Sequence, residues 1–349
     1  MNELADFIKI SKYSGERFDL IQAGGGNSSV KNDDGTMYIK ASGVCLSDVD
    51  DNFGYAIIQN RELLKIFNNE EIYHAEKRMN DKIMADYIAK VNLTPNFKPS
   101  IETLLHSMLC KYTLHTHPVL VNAITNRKEW KEILIKIFGQ NIMLIDYKTP
   151  GISLALELRE KIKNKKANII FLQNHGLIVT SDVVDDIKKL TEYVLDKIEK
   201  FLNVDMSKYN LTNEVSEYIN ANSSTHYIAY LSDDSYLNDN LSSPYIFSKP
   251  FCPDKMVYCG VSSLLLQDNI SEKIEDYKKR YHDIPKIVLY KGYLFFIAKN
   301  IKKAKEIEEV FKFHLMALIY SQTKEINFLP QEEIQYIGNW EAEKYRQNI

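Results

Sequence analysis

His115 and His117, in Leu114-His115-Thr116-His117-Pro118, and His175, in Gln173-Asn174-His175-Gly176-Leu177, have the types and spacing of three ligands to one metal ion. Side chains two apart in an extended segment point to the same side, so the first two imidazoles can face a common ion while Thr116 faces away. A third imidazole from a distant turn makes a three-nitrogen set with a fourth position open to water or substrate. That is the arrangement of a catalytic rather than a structural zinc. The His-x-His pair alone fits two half-buried, hydrogen-bonded imidazoles equally well. Its weight comes from an upstream stretch, Lys98-Pro99-Ser100-Ile101-Glu102-Thr103-Leu104-Leu105-His106, where Pro at the first turn and Ser as a cap predict an apolar-periodic helix carrying Glu102. A carboxylate thereby joins three imidazoles. Nearer the N-terminus, Gly24-Gly25-Gly26-Asn27-Ser28-Ser29 supplies backbone N–H groups and side-chain donors close together, as an anion-binding nest requires, although a flexible turn has the same composition.

The elements that must position these residues alternate along the chain. Leu4, Phe7 and Ile8 at helical spacing open it, and Ser28–Val30 and Met37–Lys40 predict a hairpin with Asp34-Gly35 as its turn. Tyr112 to His117 reads as a strand, Lys128 to Phe138 as a helix, Met143 to Tyr147 as a strand and Ile152 to Lys165 as a helix. The apolar run Ala167 to Leu172 is a buried strand that delivers Asn174-His175-Gly176 at its end, and Leu177 to Val179 continues from there. Ser181-Asp182 should cap a helix whose Val184, Ile187, Leu190, Val194, Ile198 and Phe201 recur at three- and four-residue intervals. A polar stretch from about 205 to 245 reads as a join to a second, α+β unit, with Met256 to Leu266 as strand, Ile270 to His282 as helix, Ile287 to Ala298 as a hairpin around Lys291-Gly292, and Lys302 to Gln322 as helix.

A chain of 349 residues, 45% hydrophobic and 26% charged, can bury a large core and has room for two domains. A formal charge of -3 argues against a general nucleic-acid binder, which needs a basic stripe against phosphates, so an anionic substrate would have to be held by a local site. Neither a signal peptide nor a membrane-spanning apolar run is expected, which points to the cytoplasm. The four cysteines lack CxxC spacing and read as reduced thiols. Without a Gly-rich dinucleotide fingerprint, redox chemistry is not expected.

The ordered set Gly-Gly-Asn, Ser-Gly, Pro-Ser-x-Glu, His-x-His-Pro and Asn-His-Gly resembles the class II aldolase/adducin family of zinc-dependent sugar-phosphate aldolases and epimerases. The resemblance spans roughly residues 1 to 205. The later segments Phe251-Cys252-Pro253-Asp254-Lys255-Met256-Val257-Tyr258 and Asn339-Trp340-Glu341 look like the extension of the aldolase half of bifunctional rhamnulose-1-phosphate aldolase/alcohol dehydrogenase proteins. The resemblance implies an α/β fold, with a three-layer α/β/α class II aldolase-like catalytic domain over 1–205 and a smaller C-terminal α+β module over 206–349.

It also implies roles. Zn²⁺ on His115, His117 and His175 would act as Lewis acid in retro-aldol cleavage of a ketose 1-phosphate, for example that of a 6-deoxy sugar, to dihydroxyacetone phosphate and an aldehyde. Another divalent transition metal is compatible. Glu102 would be the general acid/base and would ligate the metal in the empty enzyme, while His106 stays outside the ligand set. Gly25, Gly26, Asn27, Ser42, Gly43 and Ser100 match the family's substrate-phosphate positions. Ile101, however, stands where fuculose-phosphate aldolases tend to carry a second serine, removing one hydroxyl donor. Tyr147 falls in a segment that relatives place near the active site, where a phenol could protonate the departing oxygen. Relatives form rings, so a homo-oligomer is expected. Epimerisation, decarboxylation, dehydration and a non-catalytic, adducin-like interaction module remain open alternatives.

Overall fold

The computed structural model describes residues 2–339 apart from 75, 222, 224 and 324. Trp340 and Glu341 of the C-terminal motif therefore lie outside the described residues. The chain divides into two compact units, the first ending at Met206 and the second beginning at Ser207.

The first unit runs α1 (Glu3–Gly15), β1 (Asn27–Lys31), β2 (Thr36–Lys40), β3 (Tyr55–Gln59), α2 (Asn60–Leu63), α3 (Glu71–His74), α4 (Lys77–Val91), α5 (Thr103–Ser107), β4 (Tyr112–Thr116), α6 (Val119–Thr125), α7 (Trp130–Phe138), β5 (Met143–Ile145), α8 (Ile152–Asn164), β6 (Ile169–Leu172), β7 (Gly176–Ser181) and α9 (Val184–Leu202). Its seven strands form one sheet in the order β3-β2-β1-β4-β7-β6-β5. Only β5–β6 is a parallel pair. The β1–β2 hairpin turns at Gly35, whose φ of 90° suits glycine, while Asp34 Oδ1 accepts the Thr36 N–H at 2.8 Å.

Both sheet faces are apolar, so both must be covered. Leu177 and Val179 of β7 join Phe7, Leu120, Trp130 and Ile187 in one core, whereas Ile178 joins Met84, Leu104, Leu105 and Leu154 in the other. This period-two alternation places α1, α6, α7 and α9 on one face and α2, α4, α5 and α8 on the other, which makes the expected three layers. Along β4, Tyr112 and Leu114 belong to the first core, so alternation turns His115 toward the layer that contains α5.

The second unit continues with α10 (Asn210–Asn220), β8 (Ile228–Leu231), α11 (Ser235–Asp239), α12 (Pro253–Cys259), β9 (Leu264–Leu266), α13 (Ile270–Tyr281), β10 (Ile287–Tyr290), β11 (Tyr293–Ala298), α14 (Ile301–Tyr320) and α15 (Gln331–Asn339). A four-stranded sheet, β8-β11-β10-β9, packs Phe296, Ile287 and Ile228 against Phe311 and Leu315 of α14.

Several local expectations need correction. The stretch 205–245 is not a join; α10, β8 and α11 belong to the second unit, with Val215, Ile219, Ile228 and Leu237 buried beneath the polar residues. Met256 to Leu266 is not one strand. Pro253 starts a helix at its first turn, Gly260 ends it at φ 71°, and only Leu264–Leu266 is extended. Ser181 closes β7 and does not cap α9. The cap position is Val183, whose N–H Ser181 Oγ accepts at 3.1 Å. The Pro99 helix is shorter than its periodicity suggests, because Pro99 bridges to Ala41 and the helix begins only at Thr103.

Candidate metal centre

The three histidines meet at one end of two adjacent antiparallel strands, β4 and β7. His115 lies on β4, His117 follows its end, and His175 sits in the three-residue turn between β6 and β7, where Asn174 adopts φ 51°. Asparagine tolerates that left-handed conformation better than most residues. His117 fits because two neighbours are glycines. A Cβ on Gly25 would lie 3.1 Å from His117 Nδ1, and one on Gly176 would lie 2.2 Å from the Thr116 carbonyl oxygen and 3.1 Å from His117 Cδ2.

The rings converge through their Nε2 atoms. His115 Nε2 is 3.1 Å from His117 Nε2 and 3.2 Å from His175 Nε2. Three nitrogens at tetrahedral zinc distances would be separated by about 3.3 Å, and these two separations lie within a few tenths of an ångström of that value, with all three ligand atoms within 4.8 Å of one another. His115 Nδ1 is 3.0 Å from the Leu177 carbonyl oxygen, which can only accept. The ring proton is thus on Nδ1, and the Nε2 lone pair faces the centre. Burial pushes His115 down to about 3 and His175 down to about 4, and lowers His117 as well, so all three are neutral at pH 7, as ligation requires.

Glu102 stands at the N-terminal cap position of α5, and its N–H is accepted by Ser100 Oγ at 3.2 Å. It is only 5% exposed, so it is not the solvated helix-end carboxylate that its position suggests. Asn27 Nδ2 donates to its Oε2 at 2.6 Å. Oε1 is buried without a hydrogen-bond partner and lies 3.3 Å from His175 Nε2. A buried carboxylate oxygen without a donor is costly, and this one faces the imidazole nitrogens. Those features fit a cation held by His115, His117 and His175 with Glu102 beside it. Burial also raises the Glu102 carboxyl above the usual carboxylate range, against the opposing pull of His175, His117, Asn27 and Lys40.

The other sequence-derived residues divide. The loop at Gly24 packs on the one at Gly43, with a Cβ on Gly24 meeting the Gly43 carbonyl carbon at 3.8 Å, whereas Gly25 packs on His117 and Gly26 on Ile21 and the His115 carbonyl. Several donors there already have acceptors: the Gly25 N–H bonds Gln22 O, the Ser42 N–H bonds Lys98 O, and Asn27 turns its amide to Glu102. Ile101 is exposed. Tyr147 is half exposed, and its N–H donates to Gln173 Oε1, two residues before His175. His106 is buried with Nδ1 2.8 Å from Ser29 Oγ and is absent from the three-histidine group.

Lys40 was not legible in the sequence. Its ammonium, almost fully buried, donates to Gly24 O at 3.0 Å and Val44 O at 2.6 Å, tying the two loops together, and burial lowers it to about 8. Met37 and Ile39 face the opposite core, and nothing in the local pattern distinguishes Lys40 from a solvated strand lysine.

The seven-stranded, three-layer α/β unit carries three imidazoles that could hold a metal ion. Residues 5–199 match the family described as Class II Aldolase and Adducin N-terminal domain, and the chain belongs to that family. It is 28% identical over 193 residues to a Bacillus subtilis (strain 168) protein named uncharacterized oxidoreductase YuxG, a stretch equal to 52% of this chain and 27% of that protein. The chain thus spans about a quarter of that curated relative's length. Among solved structures it is similar to the N-terminal class II aldolase domain of a conserved protein from Thermoplasma acidophilum, at 28% identity and TM-score 0.49, covering 58% of this chain and 94% of that one. It is also similar to a sugar-phosphate aldolase from Thermotoga maritima, at 18% identity and TM-score 0.43, covering 58% and 94% respectively. Among the described residues no helix is long and apolar enough to cross a membrane.

Proposed function

We infer that this protein is a zinc-dependent aldehyde-lyase that reversibly cleaves a ketose 1-phosphate, for example that of a 6-deoxy sugar, to dihydroxyacetone phosphate and an aldehyde. The observation that carries this reading is the meeting of three neutral Nε2 atoms with the unpartnered Oε1 of Glu102. Breaking the bond beta to a ketone develops negative charge on the ketone oxygen and requires a proton to move at carbon. A divalent cation bound by His115, His117 and His175 supplies a Lewis acid for that oxygen. Glu102, with its proton affinity raised by burial, moves the proton, and Asn27 holds the carboxylate in place. The adjoining loops at Gly25, Gly26, Ser42 and Gly43, braced by Lys40 and joined by Ser100, are the proposed seat of the phosphate. Tyr147 is proposed at the hydroxyl whose oxygen becomes that of the aldehyde, passing its proton to solvent as the bond breaks and returning one when the bond re-forms.

We assign catalysis to residues 1–205 and leave specificity or assembly to 206–349. We also propose a cytoplasmic homo-oligomer; Phe18, Ile101, Val119 and Tyr147 are among the apolar residues exposed on the first unit. Neither nucleic acid nor membrane enters this reading. The test is a coupled assay for dihydroxyacetone phosphate with rhamnulose and fuculose 1-phosphates. Glu102→Gln should lower turnover by about 10²–10⁴-fold while metal content stays unchanged. Metal at one per chain without triose release from either sugar would shift the assignment to an epimerase, decarboxylase or dehydratase acting through the same centre.

A further inference from the structure

The three ligands differ in how they are held. His115 has a carbonyl on its second ring nitrogen, and His117 is wedged between Gly25 and Gly176 with its N–H on Leu20 O at 3.0 Å. His175 is held less: its Nδ1 is buried without a hydrogen-bond partner, and in its turn only the backbone N–H is fixed, on Leu172 O at 3.3 Å. Ligating imidazoles ordinarily owe their orientation to a partner on the other ring nitrogen, so the aim of His175 must be set through its backbone.

Asn122, on the first turn of α6, supplies that hold. Its Nδ2 donates to the His175 carbonyl oxygen at 3.2 Å and to the Pro118 carbonyl oxygen at 3.3 Å. Both contacts are carbonyl oxygens, so the amide nitrogen, and not Oδ1, must face them. One NH₂ group thereby joins the turn that carries His175 to the residue that follows His117. The same helix start is pinned from the other side by the Val119 N–H on Asp19 O at 2.9 Å.

We propose that Asn122 is a positioning residue for the metal centre, clasping the two histidine-bearing turns so that the His175 ring meets the other two in the geometry a divalent cation requires. The proposal rests on the three histidines being a metal site. Asn122 touches neither the ring nitrogens nor, on this reading, the substrate; it acts through the His175 backbone.

The test is titration of the metal-free full chain with Co²⁺, read by its visible absorption, for wild type, Asn122→Leu and Asn122→Ser. Leucine keeps the number and branching of the side-chain heavy atoms and removes the donor group; serine retains a hydroxyl donor on a shorter arm. Asn122→Leu should weaken Co²⁺ binding by about 10–100-fold, the range for losing a group that orients a ligand. Its absorption bands should also change shape, while thermal unfolding of the metal-free protein stays at the wild-type temperature. Asn122→Ser should fall between the two, and serves alone if the leucine variant does not fold. Wild-type affinity in these variants overturns the proposal, as does an affinity loss matched by equal destabilisation of the metal-free protein. Wild type that fails to bind Co²⁺ overturns the metal site itself and the proposal with it, an outcome separate from a wild type that binds and a variant that binds equally well.

Discussion

Each unit buries titratable groups, but arranges them differently. In the second unit Lys255 is 1% exposed and donates to Gly260 O at 2.8 Å, Cys259 Sγ lies 3.5 Å from Ile307 O, and His314 Nε2 is 2.9 Å from Ser248 Oγ while its ring stacks on Phe251. Each of those groups has a carbonyl, a hydroxyl or a ring that the fold itself provides, and of their polar atoms only His314 Nδ1 is buried without a hydrogen-bond partner. In the first unit His115, His117, His175 and Glu102 turn inward to one another, leaving Glu102 Oε1 and a set of lone pairs without a proton donor. Both clusters carry shifted proton affinities, so a shift alone does not mark a site. A group that finds its partner in the fold is a staple, and a group that faces others of its kind is completed by something from outside.

Removing a ligand should give the largest contrast. His117→Ala should take bound metal from about one per chain to background and lower turnover by at least about 10²–10³-fold, the range for losing one element of charge stabilisation. Elemental analysis beside the coupled assay checks both. Chelation comes next: at metal concentrations a hundredfold above Kd, removing the ion should cost the first unit about 3 kcal/mol. Hydrogen exchange should show that loss in β4, β6 and β7, and equal loosening of β10 and β11 would break the contrast between the units.

The second unit should respond instead to acid. Burial, with a smaller effect from Lys255, pushes His314 down to about 3, below its value of about 6.5 in an unfolded chain. The unfolded state therefore binds the proton first, and stability that is full above pH 6.5 is lost as pH falls from there toward 3. Between pH 7 and 5 the loss should reach about 2 kcal/mol, read from protection of β10 and β11. His314→Phe should flatten that dependence. The smallest effect belongs to Lys255→Met: a stapling ammonium exchanged for an apolar chain of similar length should change stability by no more than about 1 kcal/mol in chemical unfolding. A loss of several kcal/mol would show that the second unit, too, depends on a buried charge.

Helices and strands of strong period were largely legible. The β1–β2 hairpin, α8, α13, the β10–β11 hairpin and α14 lie within a few residues of their apolar patterns. Errors fall where a short polar run conceals a buried face, as in α10 and β8, or where a proline and a glycine bracket a helix inside an apolar stretch, as in α12. The short helix α6, seven residues with Val119 exposed and Leu120, Val121, Ile124 buried, offers too little length for a period to stand out.

At the centre, residue type and strand period are local properties, and they point to His115, His117 and His175, whereas Glu102 takes its role only from the resemblance of the ordered motifs. Partnership is not local. Asn27 reaches Glu102 across 75 residues, Leu177 sets the His115 tautomer across 62, and Asn122 holds His175 across 53. Lys40, an unremarkable strand lysine in the sequence, becomes a buried strap only once the loops at Gly24 and Val44 close around it. The sequence by itself determined which atoms could bind a metal, because lone pairs belong to residues. Only the tertiary structure decided which lone pairs are bare, because that depends on which distant carbonyl or amide the folded chain brings within hydrogen-bonding distance.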